Sequence, residues 1–344
     1  MSAITTDNGD IIHYQILGRG RPVVLVHTWI GSWRYWTPVM TLLNAKFRVY
    51  AIDLFGYGDS ARNPAKYTME HQIALLEDFM NKLGITKAAM IGHGLGALIV
   101  TEFCRRHPEV VPRLMLISPP LFDPGDLAHR VPAGRAILHN RPLAAAPTVD
   151  VTPSAPTVPS ASSAMRAALL AAARAKGGLA PELEQIAAAA SVSTPPPPPA
   201  PALNPLRGLL GGQTPESLLA RCFRRVEDAP TAIAVETPRV DPRALALSVD
   251  NYDAGPVLDT LRLMPTLIML VHGVEDPLIP PPSEDVLHYI TVDKDNTLVP
   301  LLLPNVRHFP MLEDERFGRI ITEFLEITDI GSIAPKDRWR RRNR

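Results

Sequence analysis

Short unbroken apolar runs alternate with longer helical-period segments through the first third of the chain. PVVLVH (22–27) and FRVYAIDL (47–54) are continuous apolar runs, the pattern of strands buried on both faces. IIHYQIL (11–17) precedes them as a further strand, and Gly18 and Gly20 turn the chain. MEHQIALLEDFMNKLG (69–84) places Ile73, Leu76, Phe79, Met80 and Leu83 at three- and four-residue steps, with Gly84 as a C-terminal cap. KAAMIGH (87–93) predicts a strand, LGALIVTEFCRRHP (95–108) a helix and RLMLISPP (113–120) a strand. Alternation at this spacing implies parallel crossovers, hence an α/β fold with a doubly wound, mostly parallel sheet.

The pattern breaks after Pro120 and returns near residue 256. TLIMLVHG (266–273) is a buried strand, TLVPLLLPN (297–305) a less regular last strand, and RFGRIITEFLEI (316–327) an amphipathic helix. The sheet is therefore expected in two pieces, 1–120 and 256–334, around an insertion over 121–255 that is too long to be a loop. Within it, 141–163 and 191–205 are Pro/Ala/Ser/Thr tracts, including the run Pro195–Pro199. They lack the apolar density to pack and read as flexible or polyproline-like linkers. Helices are predicted over 163–176 and 181–190, and a third from Thr214-Pro215-Glu216 carries Leu218, Leu219, Cys222 and Phe223. Such helices either cover a site as a cap or swing on Pro-rich hinges.

Composition narrows the function classes. Lys+Arg and Asp+Glu both number 35, so nothing global points to nucleic acid. Only the tail (335–344) is lopsided: Lys336, Arg338, Arg340, Arg341, Arg342 and Arg344 flank Trp339. It reads as a solvated tail or as a touch-point for an anionic surface. Two cysteines, Cys104 and Cys222, exclude a disulfide framework and a multi-Cys metal site, and both read as small buried hydrophobes. The polar start MSAITTDNGD is unlike a secretory signal, and no apolar run reaches the ~18 residues that span a bilayer. A cytoplasmic protein without metal or cofactor is the expectation.

Four separated motifs carry the chemistry. VLVHTWIGSWRYW (24–36) leaves a strand with His27, Thr28 and Trp29. DLFGYGDS (53–60) is a D-x-x-G-x-G-x-S loop with Asp53, Gly56, Gly58 and Ser60. IGHGLGALIV (91–100) is a strand-to-helix turn with Gly92, Gly94 and Gly96. VHGVEDPLIP (271–280) and VRHFPMLEDERFGRIITEFL (306–325) form a pair with Asp276 and His308. In this order the motifs resemble those of the α/β-hydrolase family, over about residues 10–120 and 256–330. The resemblance implies an oxyanion loop at 27–29, with backbone N–H groups of Trp29 and Leu95 as its donors. Thr28 stands where the family usually has glycine. The resemblance also implies a nucleophile elbow centred on residue 94, an acid at Asp276 (Glu275 being the near alternative) and a base at His308. His27 reads as a loop anchor and 53–60 as a loop-shaping motif.

Gly94 occupies the nucleophile's place in the G-x-S-x-G pattern. An elbow residue is held in a sparsely populated backbone region that costs a non-glycine residue about 1–3 kcal/mol. Glycine keeps that turn cheaply and removes the attacking atom. Three readings follow. The first is a degenerate site without classical covalent ester hydrolysis, holding a small apolar ligand. The second is an Asp276–His308 dyad that activates water or abstracts a proton. The third is an esterase inactivated by substitution at 94. Trp29, Trp33, Tyr35 and Trp36 are expected either to line an apolar pocket or to be core under the cap.

Overall fold

The computed structural model describes residues 2–132, 204–250, 252–294 and 297–326, all in one compact unit. The predicted helices at 163–176 and 181–190, the Pro-rich tracts at 141–163 and 191–203, and the tail at 335–344 lie outside the described residues.

Eight strands form one sheet: β1 (Ser2–Thr5), β2 (Ile11–Leu17), β3 (Arg21–Val26), β4 (Phe47–Ile52), β5 (Ala89–His93), β6 (Arg113–Ile117), β7 (Leu267–Gly273) and β8 (Leu298–Leu303). Their spatial order is β1-β2-β4-β3-β5-β6-β7-β8. β1 and β2 pair antiparallel at one edge, and β3 to β8 run parallel. The expected doubly wound, mostly parallel sheet is thus present. β1 was not predicted, because SAIT is short and its residues alternate half-buried and exposed at the sheet edge. The parallel strands read clearly because Val23, Val24, Leu25 and Val26 are all fully buried. Each contributes about 1.5–3 kcal/mol by leaving water.

Helices cover both faces, as parallel crossovers require. Helix α1 (Thr37–Leu43) follows β3, α2 (Met69–Lys82) follows β4, and α3 (Leu95–Arg106) follows β5. In α2, Ile73, Leu76, Phe79 and Met80 form the buried face. Thr68 caps its start, accepting the His71 N–H, and Gly84 ends it at φ +64°. The insertion re-enters the description as four short helices: α4 (Pro205–Leu210), α5 (Pro215–Cys222), α6 (Thr231–Ala234) and α7 (Pro242–Asp250). Thr214 caps α5, and Leu218, Leu219 and Cys222 are buried. This segment lies against the core. Trp29 Nε1–H donates to Ser248 Oγ (3.1 Å), the Tyr67 hydroxyl to Asp241 (2.8 Å) and Arg34 to Glu236 (2.9 Å).

Register places the site. Val26 sits opposite Gly92, His93 opposite Ile117, Ile117 opposite Val271, and Gly273 opposite Leu303. The loops leaving β3, β5, β6, β7 and β8 therefore share the carboxyl edge, where open α/β sheets place their sites. The opposite edge holds a cleft of about 240 Å³ lined by Arg21, Phe47, Ala89, Arg113 and Leu325.

Candidate active site

The elbow is built from glycine contacts. Gly94 has φ +53° and ψ −109° and precedes α3. Its N–H donates to the Ile117 carbonyl (2.9 Å), and Gly96 N–H donates to the His27 carbonyl (3.0 Å). A side chain at Gly96 would collide with the Val26 and His27 carbonyls, and one at Gly92 with the Gly96 carbonyl. These two glycines let α3 lie directly on the sheet. Leu95 is the first residue of α3, so its N–H has no acceptor within the helix.

Position 94 differs from its neighbours, because side chains rather than backbone occupy the space beside it. A Cβ there would fall inside contact distance of Thr28 Oγ1, 3.0 Å from Thr28 Cβ and 2.8 Å from the Trp29 ring. The volume an elbow side chain would use is filled from the β3 loop.

His308 and Asp276 come together at the carboxyl edge. His308 Nδ1–H donates to Asp276 Oδ2 at 2.8 Å, and both side chains are fully buried. Asp276 Oδ1 accepts the N–H groups of Leu278 (2.9 Å) and Ile279 (3.0 Å). Burial by itself would raise the Asp276 pKa. The charge and hydrogen bond of His308, the nearby His272 and the Ile279 N–H outweigh it and hold the carboxyl below the usual range. Glu275 instead pairs at the surface with Arg224 (3.0 Å). With Nδ1 committed to Asp276, Nε2 of a neutral His308 is an acceptor. It faces the Thr28 hydroxyl at 3.2 Å.

Thr28 is held at both backbone groups. Its N–H donates to the Tyr35 hydroxyl (3.0 Å), and its carbonyl accepts from His27 Nδ1 (2.7 Å). His27 Nε2 accepts the Leu54 N–H (3.0 Å), so this histidine is a loop anchor. The Tyr35 hydroxyl donates onward to His93 Nδ1 (3.1 Å), and His93 Nε2–H donates to the His308 carbonyl (2.8 Å). Burial pushes the His93 pKa well below the ordinary imidazole value, and the neighbouring His308 adds to the effect. His93 is therefore neutral, which fits one nitrogen accepting and the other donating. Thr28 and His308 are thus joined twice, directly and through Tyr35 and His93.

Four residues at this edge, Thr28, Tyr35, His93 and Ser118, take on their partners or strain only in the folded chain. Read along the sequence, Thr28 is a lost glycine rather than a gained hydroxyl. The Tyr35–His93 link joins residues 58 positions apart. Ser118, at the end of β6, has φ +44°, and its fully buried Oγ meets no hydrogen-bond partner among the described residues. Trp29, Tyr35 and Trp36 are buried in the core rather than ranged around an open pocket. Tyr35 packs on Trp36 (5.0 Å), His93 (5.8 Å) and Phe309 (5.3 Å), which accounts for the aromatic richness of the segment. Trp33 is half-buried under Arg34.

Cys104 and Cys222 are buried, and desolvation pushes the Cys104 thiol up to about 11. His13, Asp53 and Asp59 bring ligand atoms within 4.8 Å of one another. Most of their capacity is already used, although His13 Nε2 is buried with no hydrogen-bond partner among the described residues. His13 Nδ1 bonds Asp53 (2.9 Å), Asp53 also accepts the Trp33 (2.8 Å) and Asp59 (3.1 Å) N–H groups, and Arg34 and Arg239 pair with Asp59. Two guanidinium groups stand where a cation would act. The 53–60 motif is a structural brace, with Ser60 Oγ–H donating to the Asp53 carbonyl (2.7 Å). Among the described residues no helix is long and apolar enough to cross a membrane.

Comparison with known proteins agrees with this architecture. A family model described as the alpha/beta hydrolase fold matches residues 21–149. Bifunctional epoxide hydrolase 2 of Rattus norvegicus is 38% identical over 127 residues, 35% of this chain and 22% of the relative. Soluble epoxide hydrolase of Corynebacterium sp. is 32% identical over 134 residues, 38% of this chain and 46% of the relative. Each match spans less than half of the relative's length. A solved esterase from Rhodococcus sp. superposes with a TM-score of 0.59 at 18% identity, covering 94% of this chain and 98% of that one. With the parallel sheet and the glycine-built elbow on one carboxyl edge, these matches show that the chain has the alpha/beta hydrolase fold.

Proposed function

We propose that residue 94 takes no part in chemistry and that Asp276–His308 is the working base of a site for small apolar substrates. The observation that carries this reading is the hydroxyl at 3.2 Å from His308 Nε2. An imidazole oriented by a carboxylate on one side and facing a hydroxyl on the other is arranged for proton transfer. A site abandoned after loss of its elbow side chain has no need of that arrangement. The filled space beside Gly94 argues against an ordinary esterase silenced by one substitution, because a serine there would have to displace Thr28 and Trp29. Trp29 and Leu95 N–H groups are the proposed oxyanion donors.

The substrate class we favour is an ester with short apolar groups. Two relatives are named epoxide hydrolases, which supports an apolar epoxide as the competing class. The test is turnover of short-chain nitrophenyl esters and of styrene oxide by the unmodified chain and by His308→Ala. Turnover that disappears in His308→Ala supports the base reading. An unmodified chain that binds such molecules without converting them leaves a non-catalytic binding protein in its place.

A further inference from the structure

The base reading leaves open which atom His308 activates. We propose that the Thr28 hydroxyl is the nucleophile of this site, so that the attacking group has moved from the β5–α3 elbow to the loop after β3. The inference rests on the base reading and goes beyond it by assigning a covalent step.

Three observations carry it. Thr28 Oγ1 is the hydroxyl that His308 Nε2 faces, at 3.2 Å, while Nδ1 holds Asp276 at 2.8 Å. The chain of contacts is that of a nucleophile–base–acid triad, which is recognised by geometry and roles rather than by sequence position. Thr28 Oγ1 also lies in the space that a side chain at 94 would enter. The hydroxyl therefore reaches the same point from the β3 loop, one residue before the Trp29 amide and beside the residue that precedes Leu95. Finally, both backbone groups of Thr28 are fixed by side chains, its N–H by Tyr35 and its carbonyl by His27. A catalytic group needs such support to hold its aim to a fraction of an ångström.

The step balances without a further reagent. Thr28 Oγ attacks the ester carbonyl carbon as its proton passes to His308 Nε2. The carbonyl π electrons move onto oxygen, facing the oxyanion donors. The tetrahedral centre then collapses, the bond to the leaving oxygen breaks, and His308 returns the proton to the departing alcohol. This leaves an acyl ester on Thr28. Water, deprotonated by His308, cleaves it to the carboxylic acid and restores the hydroxyl. Thr28, Trp29 and His308 are fully buried, with Ser248 of α7 bonded to the Trp29 indole.

The test is labelling of the full chain with a fluorophosphonate, read by intact mass and peptide mapping, alongside nitrophenyl butyrate turnover. The expected result is a single adduct on the peptide bearing Thr28. Thr28→Val, of matching shape, should lose the adduct and about 10³-fold or more in turnover. Thr28→Ser should still label, and faster, since its hydroxyl is less hindered, which separates loss of the nucleophile from loss of folding. Absence of an adduct, an adduct elsewhere, or Thr28→Val turning over at the unmodified rate would overturn the assignment. Turnover that His308→Ala abolishes but Thr28→Val retains would sink the nucleophile alone and leave the base reading standing. An adduct on Thr28 without turnover would leave the nucleophile standing and sink the short apolar ester as the substrate class.

Discussion

The two halves of the carboxyl edge have fared differently. On the β7–β8 side, the acid and histidine loops hold the arrangement the family resemblance implies: Asp276 takes two backbone N–H groups and the His308 ring. On the β3–β5 side, the turn is present and its side chains differ from those the resemblance implies. Gly94 keeps the elbow's dihedral angles, and Thr28 and Trp29 fill the space an elbow side chain would use. The contrast shows that backbone geometry and chemical identity are separable at one turn. The turn is fixed by Gly92, Gly96 and hydrogen bonds to two strands, none of which depends on the side chain at 94.

The largest effect should come from the retained half. Asp276→Asn leaves the fold's shape and removes the charge that orients the imidazole, and should lower ester turnover by about 10⁴-fold. Turnover within tenfold of the unmodified chain would erase the functional distinction between the halves.

The exchanged half should show itself next, in stability. Gly94→Ser should cost about 3 kcal/mol, from overpacking against Thr28 and Trp29 and from strain at φ +53°. Adding Thr28→Gly to Gly94→Ser should recover part of that loss, with a coupling of about 1–2 kcal/mol in urea unfolding. Strictly additive effects would mean that the two positions are independent.

A smaller effect is pH-dependent. His27, His93 and His272 are buried, and desolvation lowers each pKa below the ordinary 6.5. A base with a depressed folded pKa is protonated first in the unfolded chain. Stability is then full above about pH 6.5 and falls as pH drops below it, by about 1.4 kcal/mol per pH unit for each histidine until its folded pKa is reached. Urea midpoints between pH 8 and 5 should follow that slope. His93→Asn should flatten it more than His272→Asn, since His93 is the more strongly depressed. Equal slopes in all three proteins would remove the histidines from the account.

The smallest effect concerns Ser118, whose positive φ carries strain while its hydroxyl meets no hydrogen-bond partner among the described residues. Ser118→Gly should raise stability by about 1 kcal/mol, seen as a melting temperature a few degrees higher. A lower melting temperature would show that the hydroxyl contributes more than the strain removes.

Much of this was legible in the sequence, for identifiable reasons. The buried parallel strands announce themselves because an apolar run such as Val23–Val26 has no other use. The Asp276–His308 pair was legible because both residues lie in loops with distinctive neighbours. Strand β1 and the short helices α4, α6 and α7 were not, since their stability comes from contacts with the core rather than from local pattern. Thr28 was misweighed because a substitution read along the chain shows what is lost. What is gained depends on residues 66 and 280 positions away, Gly94 and His308, and only folding brings them together.

The interlock of Thr28 with Gly94 also governs which sequences can be reached from this one. Placing a serine at 94 first meets a collision, and removing the threonine first opens a void and strands the imidazole without its hydroxyl. Each single step leads downhill in stability or function, and only the pair avoids both. The two positions therefore behave as a ratchet: easy to hold, hard to change one residue at a time.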